Sequence, residues 1–176
     1  MPDKDKVVAA YPGAFDPITH GHLDIVQRAS RLFDEVIVAV GHNPEKAVWF
    51  TPAERVRMIR EVVAHLPNVR TESYDGLTMD YVLSVGARVL VRGIRDTVDL
   101  REELQIAAVN QMVGGVETVF LMSSDEYGLT SSTLIKQIVD MGGFDARRLS
   151  RLVPPVAVRH LARKFGVSSG PPDDVD

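Results

Sequence analysis

A doubly wound α/β fold is predicted for this chain by three observations. Short runs rich in Val, Ala, Ile and Leu recur as far as Met122, stretches with helical spacing separate them, and most of the runs end near Gly, Pro or a polar residue. A strand covered on one face alternates apolar with polar residues, whereas a parallel strand covered on both faces reads as a continuous run.

The expected strands are Val7 to Tyr11, Glu35 to Gly41, Val69 to Tyr74, Ala87 to Arg92 and Thr118 to Met122. After the first, Leu23, Val26, Ala29 and Phe33 fall on one helical face. Val56, Ile59, Val63 and Leu66 do so after the second, and Leu100, Leu104, Ala107 and Ala108 after the fourth. Thr51-Pro52-Ala53-Glu54 marks a helix start, combining an N-cap, a proline at the first helical position and a capping-box glutamate. Gly114-Gly115, Gly142-Gly143 and Gly166 follow apolar periodic stretches and fit left-handed helix ends. Beyond about residue 130 only helical spacing remains, over Ser131 to Met141 and Pro154 to Phe165. The prediction is a Rossmann-like, doubly wound, parallel five-stranded sheet with helices on both faces and a helical C-terminus. Such a sheet binds ligands at the carboxyl ends of its strands, where the strand order reverses.

With 176 residues, 45% of them hydrophobic, the chain has enough apolar material for one core. Residues 1–167 are expected to form a single domain and residues 168–176, SSGPPDDVD, a disordered tail. The formal net charge of −4 argues against binding nucleic acid or an anionic membrane through overall charge, and leaves small anionic ligands in play. The absence of cysteine excludes disulfides, thiolate nucleophiles and cysteine-bound zinc. No stretch reaches the roughly 20 apolar residues of a membrane span and no signal-peptide pattern occurs, so a cytoplasmic protein is expected.

No G-x-G and no G-x-x-x-x-G-K-[ST] occurs, which disfavours a dinucleotide-binding dehydrogenase and a P-loop NTPase. The first strand leads instead into Tyr11-Pro12-Gly13-Ala14-Phe15-Asp16-Pro17-Ile18-Thr19-His20-Gly21-His22 and then an amphipathic helix. Backbone N–H groups from Gly13 to Phe15 and at the helix start, with the helix dipole behind them, suit a phosphate chain. Gly21 permits close approach to a ligand, and His22 can donate to a phosphate oxygen. An isolated Gly-His would be read as a helix cap; twelve consecutive residues fitting the T-x-G-H form of the nucleotidylyltransferase signature are read as a triphosphate site. A second helix start, Thr130-Ser131-Ser132-Thr133-Leu134-Ile135-Lys136, resembles that superfamily's I-S-S-T-x-x-R pattern, with hydroxyls and N–H groups for β- and γ-phosphates and Lys136 as a countercharge.

Between these lie N-P-x-K (Asn43 to Lys46), F-T-x-x-E-R (Phe50 to Arg55) and V-R-G-I-R (Val91 to Arg95), in that order. The chain thereby resembles the phosphopantetheine adenylyltransferases from about Val7 to Phe165. The resemblance implies transfer of the adenylyl group of ATP to 4′-phosphopantetheine, giving dephospho-coenzyme A and pyrophosphate in coenzyme A biosynthesis. It implies that Lys46 and Arg92 bind the acceptor phosphate and that His22 stabilises the transition state. Ala14, Phe15, Gly93, Ile94, Arg95, Glu103, and Tyr127, Gly128, Leu129, Thr130, Ser131, Ser132 and Thr133 would contact ATP. Ala14, Leu77, Thr78 and Asn110 would line the acceptor. Mg2+ on the triphosphate, without an assigned protein ligand, a homohexamer and feedback by coenzyme A complete the expectation.

Departures from the family pattern are Ala14, where Thr or Ser is usual, the Asp99 to Glu103 stretch, which reads D-L-R-E-E in place of D-F-E-Y-E, and Gly128-Leu129-Thr130 in place of an S-[FY]-[IL]-like stretch. The competing readings are a sibling nucleotidylyltransferase with another acceptor, such as nicotinamide mononucleotide or glycerol 3-phosphate, and a non-catalytic nucleotide-binding module.

Overall fold

A computed structural model describes residues 6–42, 47–128 and 130–167. Strands β1 (Val8–Gly13), β2 (Glu35–Gly41), β3 (Val69–Tyr74), β4 (Val89–Ile94) and β5 (Glu117–Met122) form a parallel sheet in the order β3-β2-β1-β4-β5. The helices are α1 (His20–Leu32), α2 (Pro52–Val62), α3 (Thr78–Ser84), α4 (Thr97–Gly114), α5 (Ser132–Asp140), α6 (Ala146–Leu149) and α7 (Pro155–Phe165). The doubly wound parallel sheet with a helical C-terminus is as expected. The tail proposed for residues 168–176 lies outside the described residues.

Continuous apolar runs become strands here because both faces are covered: Val36 to Val40 in β2 are all 0% exposed. Ala9, Tyr11, Val38 and Val91 face one core with Ile25 and Val26 of α1, Met58 and Ile59 of α2, Ile135 of α5 and Leu161 of α7. Ala10 and Leu90 face the other, smaller core with Met79 and Val82 of α3. The Thr51–Glu54 capping box closes reciprocally at the start of α2, and Gly115, Gly142 and Gly166 have positive φ at helix ends.

Two features differ from the sequence reading. Helices α3 and α6 were not predicted; they span seven and four residues, too short for a periodic signal to stand out. The apolar spacing in α4 predicts a core-facing stripe, yet none of its residues is buried. Leu104, Val109 and Met112 are 51%, 57% and 82% exposed, and apolar side chains lie around the helix rather than along one face.

The order reverses at β1, which is flanked by β2 on one side and β4 on the other. Pairing of β1 with β2 continues from Val8–Glu35 to Gly13–Val40, whereas pairing with β4 covers Ala9–Val89 and Ala10–Leu90. Pro12 has no N–H with which to continue a ladder, and its carbonyl instead accepts from Arg92 Nη1 at 3.0 Å. The crevice required by the fold therefore opens beyond Ala10 and Leu90, at the carboxyl ends of β1 and β4.

Candidate active site

The turn after β1 is built around Phe15. Its φ of 49° folds the chain back, and its ring, 2% exposed, packs edge-on against Tyr11 at 5.3 Å and His22 at 5.0 Å between centroids. The ring also lies over Gly13, where an added Cβ would stand 2.8 Å from Phe15 Cζ. Gly13 is thus required by the Phe15 ring as well as by the turn. Gly13→Ala is expected to displace that ring and destabilise the fold by about 1–3 kcal/mol, the usual cost of overpacking, which thermal denaturation measures; an unchanged melting temperature would contradict this role.

Thr19, buried at 1% exposure, caps α1 in a reciprocal box with His22. The His22 N–H donates to Thr19 Oγ1 at 3.2 Å, and the Thr19 N–H donates to His22 Nδ1 at 3.1 Å. A backbone N–H can only donate, so Nδ1 is the acceptor and the neutral ring carries its proton on Nε2. Burial, reinforced by the positive fields of Arg95 and Arg92, pushes the His22 pKa down to about 4. The histidine is therefore a helix cap and a neutral N–H donor at once: the cap fixes the tautomer and leaves Nε2 for the cleft.

Its stability linkage follows from the direction of that shift. Above the unfolded value of about 6.5 the neutral ring contributes fully, and the contribution is lost as pH falls through that value towards about 4. In a ring-resonance titration of the free protein, His22 is expected to stay neutral from pH 8 to below about 6; a midpoint near 6.5 would contradict the assignment.

His22 opens onto a cleft of about 270 Å³ at the switch point. From β4, the loop after it and α4 come Gly93, Arg95 and Glu103, and from the segment after β5 come Tyr127 and Thr130 to Thr133. These predicted ATP residues, separated by up to 111 positions, are brought together. Thr19, Gly21, Asp99 and Ser123 also line the cleft. Thr19 and Gly21 belong to the T-x-G-H signature. Asp99 was legible only through its four-residue spacing from Arg95, and Ser123 only as a polar residue at a strand end.

Two arginine–carboxylate forks shape the wall. Arg92 donates from Nε to Glu103 Oε2 at 2.7 Å and from Nη2 to Glu103 Oε1. Burial opposes its charge, but the hydrogen bonds and attraction of Glu103 outweigh this and raise its pKa. Arg95 donates from Nε to Asp99 Oδ2 at 2.7 Å and from Nη2 to Asp99 Oδ1 at 3.0 Å; these hydrogen bonds lower the Asp99 pKa. Three of the five Arg92 N–H groups are thus used by Glu103 and Pro12, leaving two for a ligand.

The third wall is the start of α5. Ser131 caps the helix, accepting from Leu134 N at 3.1 Å, and Ser132 Oγ donates to the Pro17 carbonyl at 2.8 Å. This joins α5 to the loop before α1, so both helix N-termini sit at the cleft. Asp24 of α1 accepts from Ser124 Oγ at 3.0 Å, and Tyr127 stacks on His20 at 5.7 Å between centroids. Lys136 is engaged in an ion pair with buried Asp16.

The remaining predicted residues do not line this cleft. Ala14 is exposed on the turn and Phe15 enters the core; Ile94 is buried and Gly128 follows Tyr127. Arg92 is held by Glu103, which does line the cleft. Leu77, 71% exposed, precedes α3; Thr78 Oγ1 meets Tyr74 Oη at 2.8 Å, and Asn110 is half-buried on α4. Lys46 and Leu129 lie outside the described residues.

The cytidylyltransferase-like family model matches residues 10–138, a range that includes every residue lining the cleft. A phosphopantetheine adenylyltransferase of Heliobacterium modesticaldum is 46% identical over 160 residues, 90% of this chain and 93% of the relative. One from Geobacter sulfurreducens is 46% identical over 166 residues, 94% of this chain and 97% of the relative. Among solved structures, a putative nicotinate-nucleotide adenylyltransferase from Vibrio parahaemolyticus superposes with a TM-score of 0.63 at 17% identity, over 89% of this chain and 98% of that one. A bifunctional NMN adenylyltransferase/ADP ribose pyrophosphatase from Francisella tularensis gives 0.66 at 14% identity, over 90% of this chain and 50% of that one. At such identities the structural likeness speaks for the fold.

Proposed function

The chain belongs to the phosphopantetheine adenylyltransferases, within the cytidylyltransferase-like family, and on that premise we propose how its residues divide the reaction. The enzyme transfers the adenylyl group of ATP to 4′-phosphopantetheine, giving dephospho-coenzyme A and pyrophosphate for coenzyme A biosynthesis. An oxygen of the acceptor phosphate attacks the α-phosphorus of ATP; the bond from that phosphorus to the β-bridging oxygen breaks, and pyrophosphate leaves with the bond's electrons. The attacking oxygen is already ionised, so no general base is required. Catalysis rests on in-line placement and on charge stabilisation at the α-phosphate.

The observation that carries this division is His22: a neutral ring with Nδ1 engaged by Thr19 and Nε2–H left for the cleft. It donates to a non-bridging α-phosphate oxygen. The N-termini of α1 and α5, with Ser131 to Thr133, hold the β- and γ-phosphates, and Gly93 to Arg95, Glu103 and Tyr127 to Thr130 hold the nucleoside side. Arg92 and Lys46 hold the acceptor phosphate, and Leu77, Thr78 and Asn110 its pantetheine arm. Ala14, without a hydroxyl, leaves backbone groups alone to meet the reacting phosphates. Magnesium bound with the nucleotide would offset the triphosphate charge. Asp99 and Glu103 are engaged by arginines, which fits a cation carried by the phosphates and their water shell.

The exposed apolar residues of α4 support assembly into a homohexamer, since so many unpartnered large side chains on one helix are characteristic of buried interfaces. No helix among the described residues is long and apolar enough to cross a membrane; residence in the cytoplasm, one domain over residues 1–167 and feedback by coenzyme A complete the proposal. Incubation with ATP and 4′-phosphopantetheine tests it: pyrophosphate and dephospho-coenzyme A form in equal amounts, whereas ATP binding without product would leave a nucleotide-binding module. Light scattering of the same sample reads the assembly, and a monomer would remove the role given to α4.

A further inference from the structure

We propose that Asp24 and Arg28 of α1 are positioning residues: they hold the chain on either side of Ser123, just beyond the carboxyl end of β5, and so place the wall of the cleft formed by Ser123 and Tyr127. Asp24 stands two residues past His22, and Arg28 one helical turn further. Asp24 Oδ2 accepts from Ser124 Oγ at 3.0 Å, from Ser124 N at 3.4 Å and from Arg28 Nη1 at 3.2 Å. The same Arg28 Nη1 donates to the Met122 carbonyl.

These two grips flank Ser123, which lines the cleft. The Ser123 N–H itself donates to the Ile94 carbonyl at 2.8 Å, so this point of the chain is tied at once to β4 and to α1. Beyond it a short turn, Asp125–Tyr127, is closed by Tyr127 N donating to the Ser124 carbonyl at 2.9 Å. That turn brings Tyr127 to the cleft, with its ring stacked on His20. A Cβ added at Gly21 would stand 3.6 Å from the Cβ and carbonyl oxygen of Tyr127, which is ordinary van der Waals contact. Helix α1 thus meets the segment at His20, Gly21 and Asp24, the residues around His22.

Helix stability alone does not account for this arrangement. An Asp–Arg pair four residues apart on a solvated helix contributes little. Here the carboxylate is 15% exposed, and both members of the pair reach across to groups 94 and 100 positions away. Apolar residues at these positions could cover β5 without selecting which residues of the segment they meet; a donor to one carbonyl and an acceptor for one serine select them. Because His22 sits on the same helix, one rigid element sets the spacing between the histidine and the Ser123–Tyr127 wall.

The inference rests on the nucleotide occupying this cleft, and its test keeps the two claims apart. Asp24→Asn weakens the hold on Arg28 and Ser124 from the side of α1. Ser124→Ala removes the hydroxyl from the other side and leaves α1 unaltered, and Ser124→Thr restores a hydroxyl. In the full chain, the Kd of α,β-methylene-ATP is expected to rise about tenfold in Asp24→Asn and Ser124→Ala, as for one lost charge-assisted hydrogen bond, and to stay within about twofold in Ser124→Thr. KM for 4′-phosphopantetheine at saturating ATP stays within about twofold in all three. Amide exchange at Tyr127 is expected to quicken about tenfold in Asp24→Asn and Ser124→Ala. Unchanged affinity for the analogue, an equal rise in acceptor KM, unchanged exchange, or no recovery with threonine would overturn the role. If the unaltered chain does not bind the analogue, the reading of the cleft falls, and exchange at Tyr127 still decides whether Asp24 and Arg28 hold the segment.

Discussion

Replacing His22 with alanine is expected to lower kcat by about 10²-fold or more, with a smaller change in ATP affinity. The magnitude is that of a donor whose bond strengthens as charge spreads over the α-phosphate in the transition state. Because His22 also accepts the Thr19 N–H, alanine removes half of a helix cap as well, at a cost of about 1 kcal/mol of stability. His22→Gln separates the two effects. Glutamine at the third helical position can reach back to the capping residue, so stability should recover while turnover does not. Turnover that is retained in both variants would remove His22 from the reaction; turnover that returns with glutamine would make it a cap alone.

Arg92→Lys is expected to lower kcat/KM for the acceptor by about 10²-fold while leaving ATP affinity within a few-fold, measured by initial rates and by binding of the ATP analogue. Lysine retains the charge but cannot hold Glu103 with two parallel N–H groups, satisfy the Pro12 carbonyl and still present donors to a phosphate. Arg92→Ala should do worse, because it leaves Glu103, whose side chain is 15% exposed, without its partner; breaking such a pair typically costs about 3–5 kcal/mol. A loss that falls equally on ATP and acceptor would place Arg92 with the nucleotide instead.

Those residues were legible in the sequence for a physical reason. Phosphate recognition at a strand-to-helix turn uses consecutive residues, so Thr19, Gly21 and His22 appear together, and Ser131 to Thr133 do so at α5. Strand β2 was legible because burial on both faces leaves no polar position from Val36 to Val40. Contacts between distant segments left no local trace. Nothing near Lys136 in the sequence announces that it pairs with Asp16, 120 positions away, and so ties α5 to the turn after β1. Likewise the left-handed backbone of Phe15 could not be read from its residue type, although it explains why Gly13 must be small. Helix α4 misled because periodicity records that apolar residues are present; it does not say which surface covers them.

The acceptor is what distinguishes this enzyme from the nucleotidylyltransferases that share its fold, and the most direct test is kcat/KM for pyrophosphate release with ATP and each of three acceptors in turn. The account predicts efficient release with 4′-phosphopantetheine, and none above background with nicotinamide mononucleotide or glycerol 3-phosphate. Preference for either of the latter would contradict it.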